Sequence, residues 1–260
     1  MRAAALILVM LLALVAPPRA SAEEVVAGLS QTRVSITTWF SGSEIFIYGA
    51  VKREAPIPKG PPLDVVIAVT GPSTPVIVRR KSREFGVWVN GPGLHVDAAP
   101  SFYAVSTTRP LVETLSATED LRYAVGLKGL GQVIRLVDAP AWLGDQRDEY
   151  LEAVVRLRRA QGVYFEQIGG VTVDEETLFQ TRIELPAQLV EGDYRARIFL
   201  TRNRAVVDYY ETSIAVRKVG IEHLIDEMAH ERSALYGILS IVVALVAGWA
   251  AAALFRFIAP

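Results

Sequence analysis

The sequence predicts a mainly β protein, built as immunoglobulin-like antiparallel sandwich(es) with a helical insertion and one C-terminal transmembrane helix. Three observations predict it. Short β-branched and aromatic runs recur at close spacing, with turn-forming clusters between them. Helical periodicity is concentrated in a middle stretch, 109–161. The run 234–255 (ALYGILSIVVALVAGWAAAALF) carries no charged side chain. At about 1.5 Å of rise per residue it reaches roughly 30 Å, the thickness of a bilayer's hydrocarbon core.

Residues 1–22 read as a signal peptide. Arg2 supplies a short positive region, and the apolar run 3–15 is too short for comfortable spanning. Pro17 and Pro18 break it, and Ala20-Ser21-Ala22 suits signal peptidase. Cleavage after Ala22 would leave Glu23 first; an uncleaved N-terminal anchor is the alternative.

The segment 23–108 reads as β. Val34 and Ile36 alternate with polar neighbours, and the runs 45–48, 65–69, 76–78, 87–89 and 102–105 follow. Turn clusters at 41–43, 56–62, Gly71-Pro72 and Asn90-Gly91-Pro92-Gly93 separate them. Trp88 and the pair Phe102-Tyr103 are expected in the core, with the lining of a ligand cleft as the alternative.

The insertion 109–161 is helical in part over 110–127, with Thr118 as the N-cap candidate before Glu119 and Asp120. Over 145–161 a helix is the stronger expectation. Tyr150, Leu151, Val154, Val155 and Leu157 make its apolar stripe, with acids early and arginines late, as the helix dipole favours.

Strands return over 162–219. Phe179, Thr181, Ile183 and Leu185 alternate with polar residues, as do Tyr194, Ala196, Ile198 and Leu200, with Phe199 as the one break. Gly192-Asp193-Tyr194, entering a strand after a Pro-bounded loop, fits a tyrosine corner, in which the hydroxyl returns to the loop backbone. Asn203 marks a turn, and Arg195, Arg197, Arg202 and Arg204 are expected to solvate that hairpin. Ile221, Leu224, Ile225 and Met228 predict a juxtamembrane helix over 220–233, leading into a transmembrane helix over 234–256.

Composition narrows the function. With no cysteine, the body depends on its core rather than on disulfides. Twenty-seven basic against 28 acidic residues leave no net field, so a nucleic-acid partner is not implied. The expected place is the bacterial inner membrane, single-pass. The signal peptide exports the body to the periplasm, the late helix stops transfer, and Arg256 marks a cytoplasmic C-terminus.

Three clusters could carry function. Arg79, Arg80, Lys81 and Arg83 could hold a small anion, or could protect a sheet edge by charge. His223, Glu227 and His230 would share a helix face at zinc or copper spacing, or form a solvated polar face. Ser240, Ala244, Gly248 and Ala252 form a small-residue ridge suited to close helix approach, through self-association or against a polytopic membrane protein; ordinary membrane-helix composition is the plainer account. There is no Cys nucleophile, G-x-S-x-G, P-loop or G-x-G-x-x-G, so neither an enzyme nor a cofactor is expected.

The stretches GPSTPVIVRRKSREFGVWVN (71–90), SFYAVSTTRPL (101–111), LVEGDYRARIFLTRN (189–203) and the 234–257 run together resemble an uncharacterised family of putative transmembrane proteins from alphaproteobacteria. No site residue carries over from it. Proteins of this family are often encoded near sulfite-exporter-type permeases, so the resemblance implies a transporter accessory role. The expectation is a membrane-anchored extracytoplasmic binding or assembly module, accessory to a membrane protein such as a transporter. The alternatives are an extracytoplasmic sensor of a small anion, or a metal-assisted enzyme with a non-standard site.

Overall fold

A computed structural model describes residues 23–258 apart from 38, 55, 59, 135, 137–143 and 220–232. The expected signal peptide, most of the juxtamembrane helix and the trio His223, Glu227 and His230 lie outside the described residues. The first strands are β1 (Glu23–Leu29), β2 (Arg33–Ile36), β3 (Ser43–Arg53), β4 (Asp64–Thr70), β5 (Ser73–Glu84), β6 (Val87–Pro100) and β7 (Tyr103–Thr107). Helices α1 (Leu111–Thr114), α2 (Ala117–Tyr123) and α3 (Arg147–Ala160) follow, with a 3-10 turn at Gly129–Gln132. Then come β8 (Tyr164–Ile168), β9 (Val171–Asp174), β10 (Leu178–Leu185), β11 (Gly192–Arg202), β12 (Ala205–Lys218) and helix α4 (Ser233–Ile258).

Strands from both β segments are interleaved. One sheet has the order β1-β3-β10-β9, the other β2-β12-β11-β4-β7-β8. Their inner faces share one core, to which Ile45 and Ile47, Ile67, Ile183, Tyr194, Ile198 and Ile214 all contribute. Residues 23–108 and 162–219 therefore close a single sandwich. Pairing is mostly antiparallel, but β2 joins β12 and β8 joins β7 in parallel.

The second sheet is covered on its other face as well. β4 shows this in its sequence: DVVIAVT is apolar without alternation, and all seven residues are buried. Val65, Ile67 and Val69 face the inter-sheet core, while Val66 and Ala68 pack with Phe199, Leu115, Val125 and Leu130 beneath the insertion. The break at Phe199 has its reason here, since that ring fills the second face. Arg197 fastens the insertion down. Its guanidinium donates to the carbonyls of Tyr123 (2.6 Å) and Ala124 (3.1 Å) at the C-terminus of α2, where cations are favoured.

Local details correct several expectations. Ser116, not Thr118, caps α2, accepting from the amide of Glu119 at 3.3 Å. The α3 stripe buries Tyr150, Leu151 and Val154 but leaves Leu157 half exposed. Arg197 and Arg202 do not simply solvate their hairpin; both hold partners elsewhere in the fold. The tyrosine corner is present. The buried Tyr194 hydroxyl donates to the carbonyl of Val190 at 2.9 Å, and burial raises its pKa. Tyr194→Phe keeps the ring but loses this bond, so urea denaturation should show a loss of about 1 kcal/mol.

Helix α4 runs 26 residues. Side chains are described for 236–251, and all of these are exposed. Among the described residues no helix is long and apolar enough to cross a membrane. The 234–255 run thus forms one continuous helix, longer than the stretch over which its surface is described.

Candidate functional site

β5 and β6 pair only with each other, as a two-stranded arm of 12 and 14 residues. Its base is fixed in the body: Val78, Leu94, Val96 and Ala99 are buried against Ile134, Tyr150, Leu151 and Val154. From Arg79 outward to the turn, every β5 residue is exposed. Six residues at about 3.3 Å each carry the tip roughly 20 Å beyond the last buried residue of β5.

The turn at the tip is Phe85-Gly86. Both residues have positive φ, 48° and 86°, as a two-residue type I′ hairpin requires. Asparagine or aspartate is the favoured residue at the first position, because a bulky side chain is strained there. Phe85 is nevertheless there, fully exposed at 105%. The position is costly twice over, in backbone conformation and in hydration. Phe85→Asn should raise the stability of the chain by about 0.5–1 kcal/mol, read as a higher urea midpoint.

Register sets what flanks the turn. Glu84 pairs with Val87, Arg83 with Trp88, Ser82 with Val89 and Lys81 with Asn90. Paired residues share a side of the ribbon, so Trp88 stands opposite Arg83 and diagonally across from Lys81 on one side. Val87 and Val89 lie on the other. All three apolar residues are well exposed, Trp88 at 66%. The sequence places Trp88 in the core; it stands instead on the arm, because the strand carrying it never meets a second sheet. Phe102 and Tyr103 are core residues as expected.

The four arm cations thus occur together, but along a projecting ribbon rather than around a concave pocket. Arg80 reaches Glu149 at 3.4 Å, an exposed pair that contributes little. Among the described residues Arg79, Lys81 and Arg83 have no ion-pair partner, and Glu84 is the lone carboxylate of the distal arm. The cluster Asn90-Gly91-Pro92-Gly93, expected as a strand-separating turn, lies inside β6. There it accommodates the register shift between Arg79 and Lys81, a bulge. Phe85, Val87 and Val89 are the residues that sequence reasoning missed as a unit. A Phe-Gly pair between two β-rich runs was the available signal.

Two other polar centres belong to the fold. Glu23, buried at 2% exposure, receives Arg53 Nε (2.8 Å) and Arg202 (3.0 and 3.3 Å). Asp64 receives Arg109 and the hydroxyl of Thr108, the latter at 2.9 Å, and the hydrogen bond and charge of Asp64 raise the Arg109 pKa. A cleft of about 1080 Å³ beside α3 is lined by Lys128, Arg147, Leu151, Arg156 and Glu166 among others. Its charges are partly paired already, Arg159 with Glu166 at 3.2 Å. Among the described residues no group of three His, Asp or Glu side chains could hold a metal.

On α4, Ser240, Ala244 and Gly248 recur every fourth residue along one side, and the Ser240 hydroxyl donates back to the Tyr236 carbonyl at 2.9 Å. Ala252 continues the spacing. The family described as Putative transmembrane protein (Alph_Pro_TM) matches residues 24–257. No curated protein matches the chain.

Proposed function

Since the chain belongs to this family of putative transmembrane proteins, we propose that it is a membrane-anchored, non-enzymatic binding or assembly module. The sandwich stands in the periplasm at the outer face of the bacterial inner membrane, α4 crosses once, and the C-terminus is cytoplasmic. The module works as an accessory to a polytopic membrane protein such as a transporter.

One observation carries the reading. Over 236–251 α4 is apolar on every side, and Ile238, Ile241, Val243, Leu245, Val246 and Trp249 are each more than half exposed. A helix apolar all round belongs in a protein core or in lipid. The described residues alone make no helix long and apolar enough to cross; the crossing is proposed for the whole charge-free run 234–255, which as a helix extends roughly 33 Å. The small-residue ridge of Ser240, Ala244 and Gly248, whose spacing Ala252 continues in the sequence, offers a partner helix close approach.

Affinity purification of the full chain from membranes in mild detergent, with mass spectrometry of its companions, tests this. A stable polytopic companion is expected, weakened by Gly248→Leu. Extraction of the chain into the soluble fraction by alkaline carbonate would remove the anchor and the role with it. Companions unchanged by Gly248→Leu would move the contact off the ridge.

A further inference from the structure

We propose that the tip of the β5–β6 arm is a second membrane contact: it inserts Phe85, Val87 and Trp88 into the interface of a bilayer containing anionic phospholipid, with Arg79, Arg80, Lys81 and Arg83 on the headgroups. The anchor reading supplies only the tether that keeps the tip near a bilayer. The recognition itself rests on the arm.

Three features of the arm choose lipid over protein. The first is shape. A bare two-stranded ribbon ending in a two-residue turn is a narrow convex wedge. A specific protein interface buries on the order of 1,200 Å² or more in total, which so small a tip reaches only inside a matching socket, whereas lipids flow around a wedge. The second is the order of residues along the ribbon. Phe85 leads Arg83 by two residues and Lys81 by four, about 7 and 13 Å along a strand. An interfacial element buries its apolar part about 5–10 Å into the headgroup and acyl boundary, so with Phe85 at that depth the cations lie at phosphate level. Trp88, paired with Arg83, sits where the amphipathic indole is favoured, at the same boundary.

The third is charge. Four cations against Glu84 give the distal arm a net positive end, although the chain as a whole is nearly neutral. The three that share a side, Arg79, Lys81 and Arg83, are strung out over about 13 Å of strand rather than gathered around one point, as a single carboxylate or phosphate ligand would require. The extra residue of the bulge lies in β6, so Arg79, Lys81 and Arg83 share the side of Trp88, while Arg80 faces the other way, toward Glu149. A plane of headgroups meets such a ribbon from all around. Glu84 remains close to Ser82 Oγ (3.5 Å) and opposes insertion, so the net attraction depends on the cations outnumbering it. The strained, solvent-exposed Phe85 then has an account: its cost in water is recovered when lipid covers it.

The chain contains no cysteine, so Ser82→Cys gives one labelling site on the arm that leaves Phe85 and Trp88 intact. The full chain, labelled there with an environment-sensitive dye, is reconstituted into phosphatidylcholine vesicles with and without about one-third phosphatidylglycerol. The expected result is a blue-shifted emission in the anionic vesicles, quenched by nitroxide carried on lipid tails. Replacing all four cations (Arg79→Gln, Arg80→Gln, Lys81→Gln, Arg83→Gln) should lower the quenched fraction on the order of tenfold. Phe85→Asn with Trp88→Ser should abolish it while the arm still folds. Emission characteristic of water in both vesicle types overturns the proposal. So does a blue shift that lipid quenchers leave untouched, which would mean that a second copy or another protein covers the tip. Retention of the chain in the vesicles after carbonate washing reads α4 separately, so anchor and arm can fail independently.

Discussion

Glu23→Ala is expected to destabilise the chain by about 3–5 kcal/mol, because it leaves two arginines at a largely buried site without their shared carboxylate. Arg53 reaches Glu23 from β3 and Arg202 reaches it from β11, with side chains 9% and 12% exposed. Arg202 also pairs with Glu176 at 3.0 Å, while Arg53 donates to the Glu176 carbonyl and to Thr177. The cluster therefore joins β1, β3, the β9–β10 turn and β11 at one end of the sandwich, across both sheets. Removing the carboxylate cuts β1 out of the cluster and leaves Arg53 and Arg202 their contacts with the β9–β10 turn. Burial alone would raise the pKa of Glu23; hydrogen bonds and charge from Arg202 and Arg53 outweigh it and hold the carboxyl below its ordinary value of 4.5. A lowered folded-state pKa gives stability that is present above the unfolded value and lost as pH falls through the folded one. Urea denaturation of the full chain in detergent should thus show a wide gap between parent and variant near neutral pH. The gap should close as the medium is acidified below about pH 4. A gap that persisted in acid would mean that packing, not charge, holds the cluster.

Gly49→Ala comes next in size, with an expected loss of about 3 kcal/mol. Gly49 lies in β3 between β1 and β10, opposite Ala27 on one side and Phe179 on the other. A Cβ there would stand 2.4 Å from Phe179 Cζ and 2.5 Å from the Val26 carbonyl oxygen. The ring can turn only by leaving the core, and the carbonyl belongs to a paired strand. Adding Phe179→Leu should recover about 1 kcal/mol by relieving the ring contact, while the backbone contact remains. A single Gly49→Ala variant with unchanged midpoint would show that β3 can shift away from β1 without loss, contrary to its central position in the sheet.

Elements governed by local pattern were legible from the residues. The alternation of Phe179, Thr181, Ile183 and Leu185 places all four inside, and the Gly192-x-Tyr194 entry makes the corner bond that the spacing implies. The unbroken run of β4 likewise announces burial on both faces. What stayed hidden depends on partners more than a hundred residues away. Nothing near Gly49 marks Phe179 as its neighbour, and nothing near Arg202 marks Glu23; a local reading sends both arginine and glutamate to solvent. The arm was obscured by competition between turn signals. Asn90-Gly91-Pro92-Gly93 is the stronger cluster, yet the ribbon turns at Phe85-Gly86, and the glycines accommodate a bulge instead. Trp88 reads as core for the same reason, since nothing local reveals that its strand leaves the body.

The way the sheets are interleaved constrains the order in which this chain can mature. β3 needs β10 and β4 needs β11, so no nascent fragment that stops short of residue 200 can seal the hydrophobic interior. Such distant pairings make folding slow relative to chain growth. An emerging N-terminal half is left with open strand edges until the C-terminal strands arrive, and it needs shelter during that interval. Because α4 follows only 14 residues after β12, the sandwich can close only when almost the whole chain up to α4 has been made.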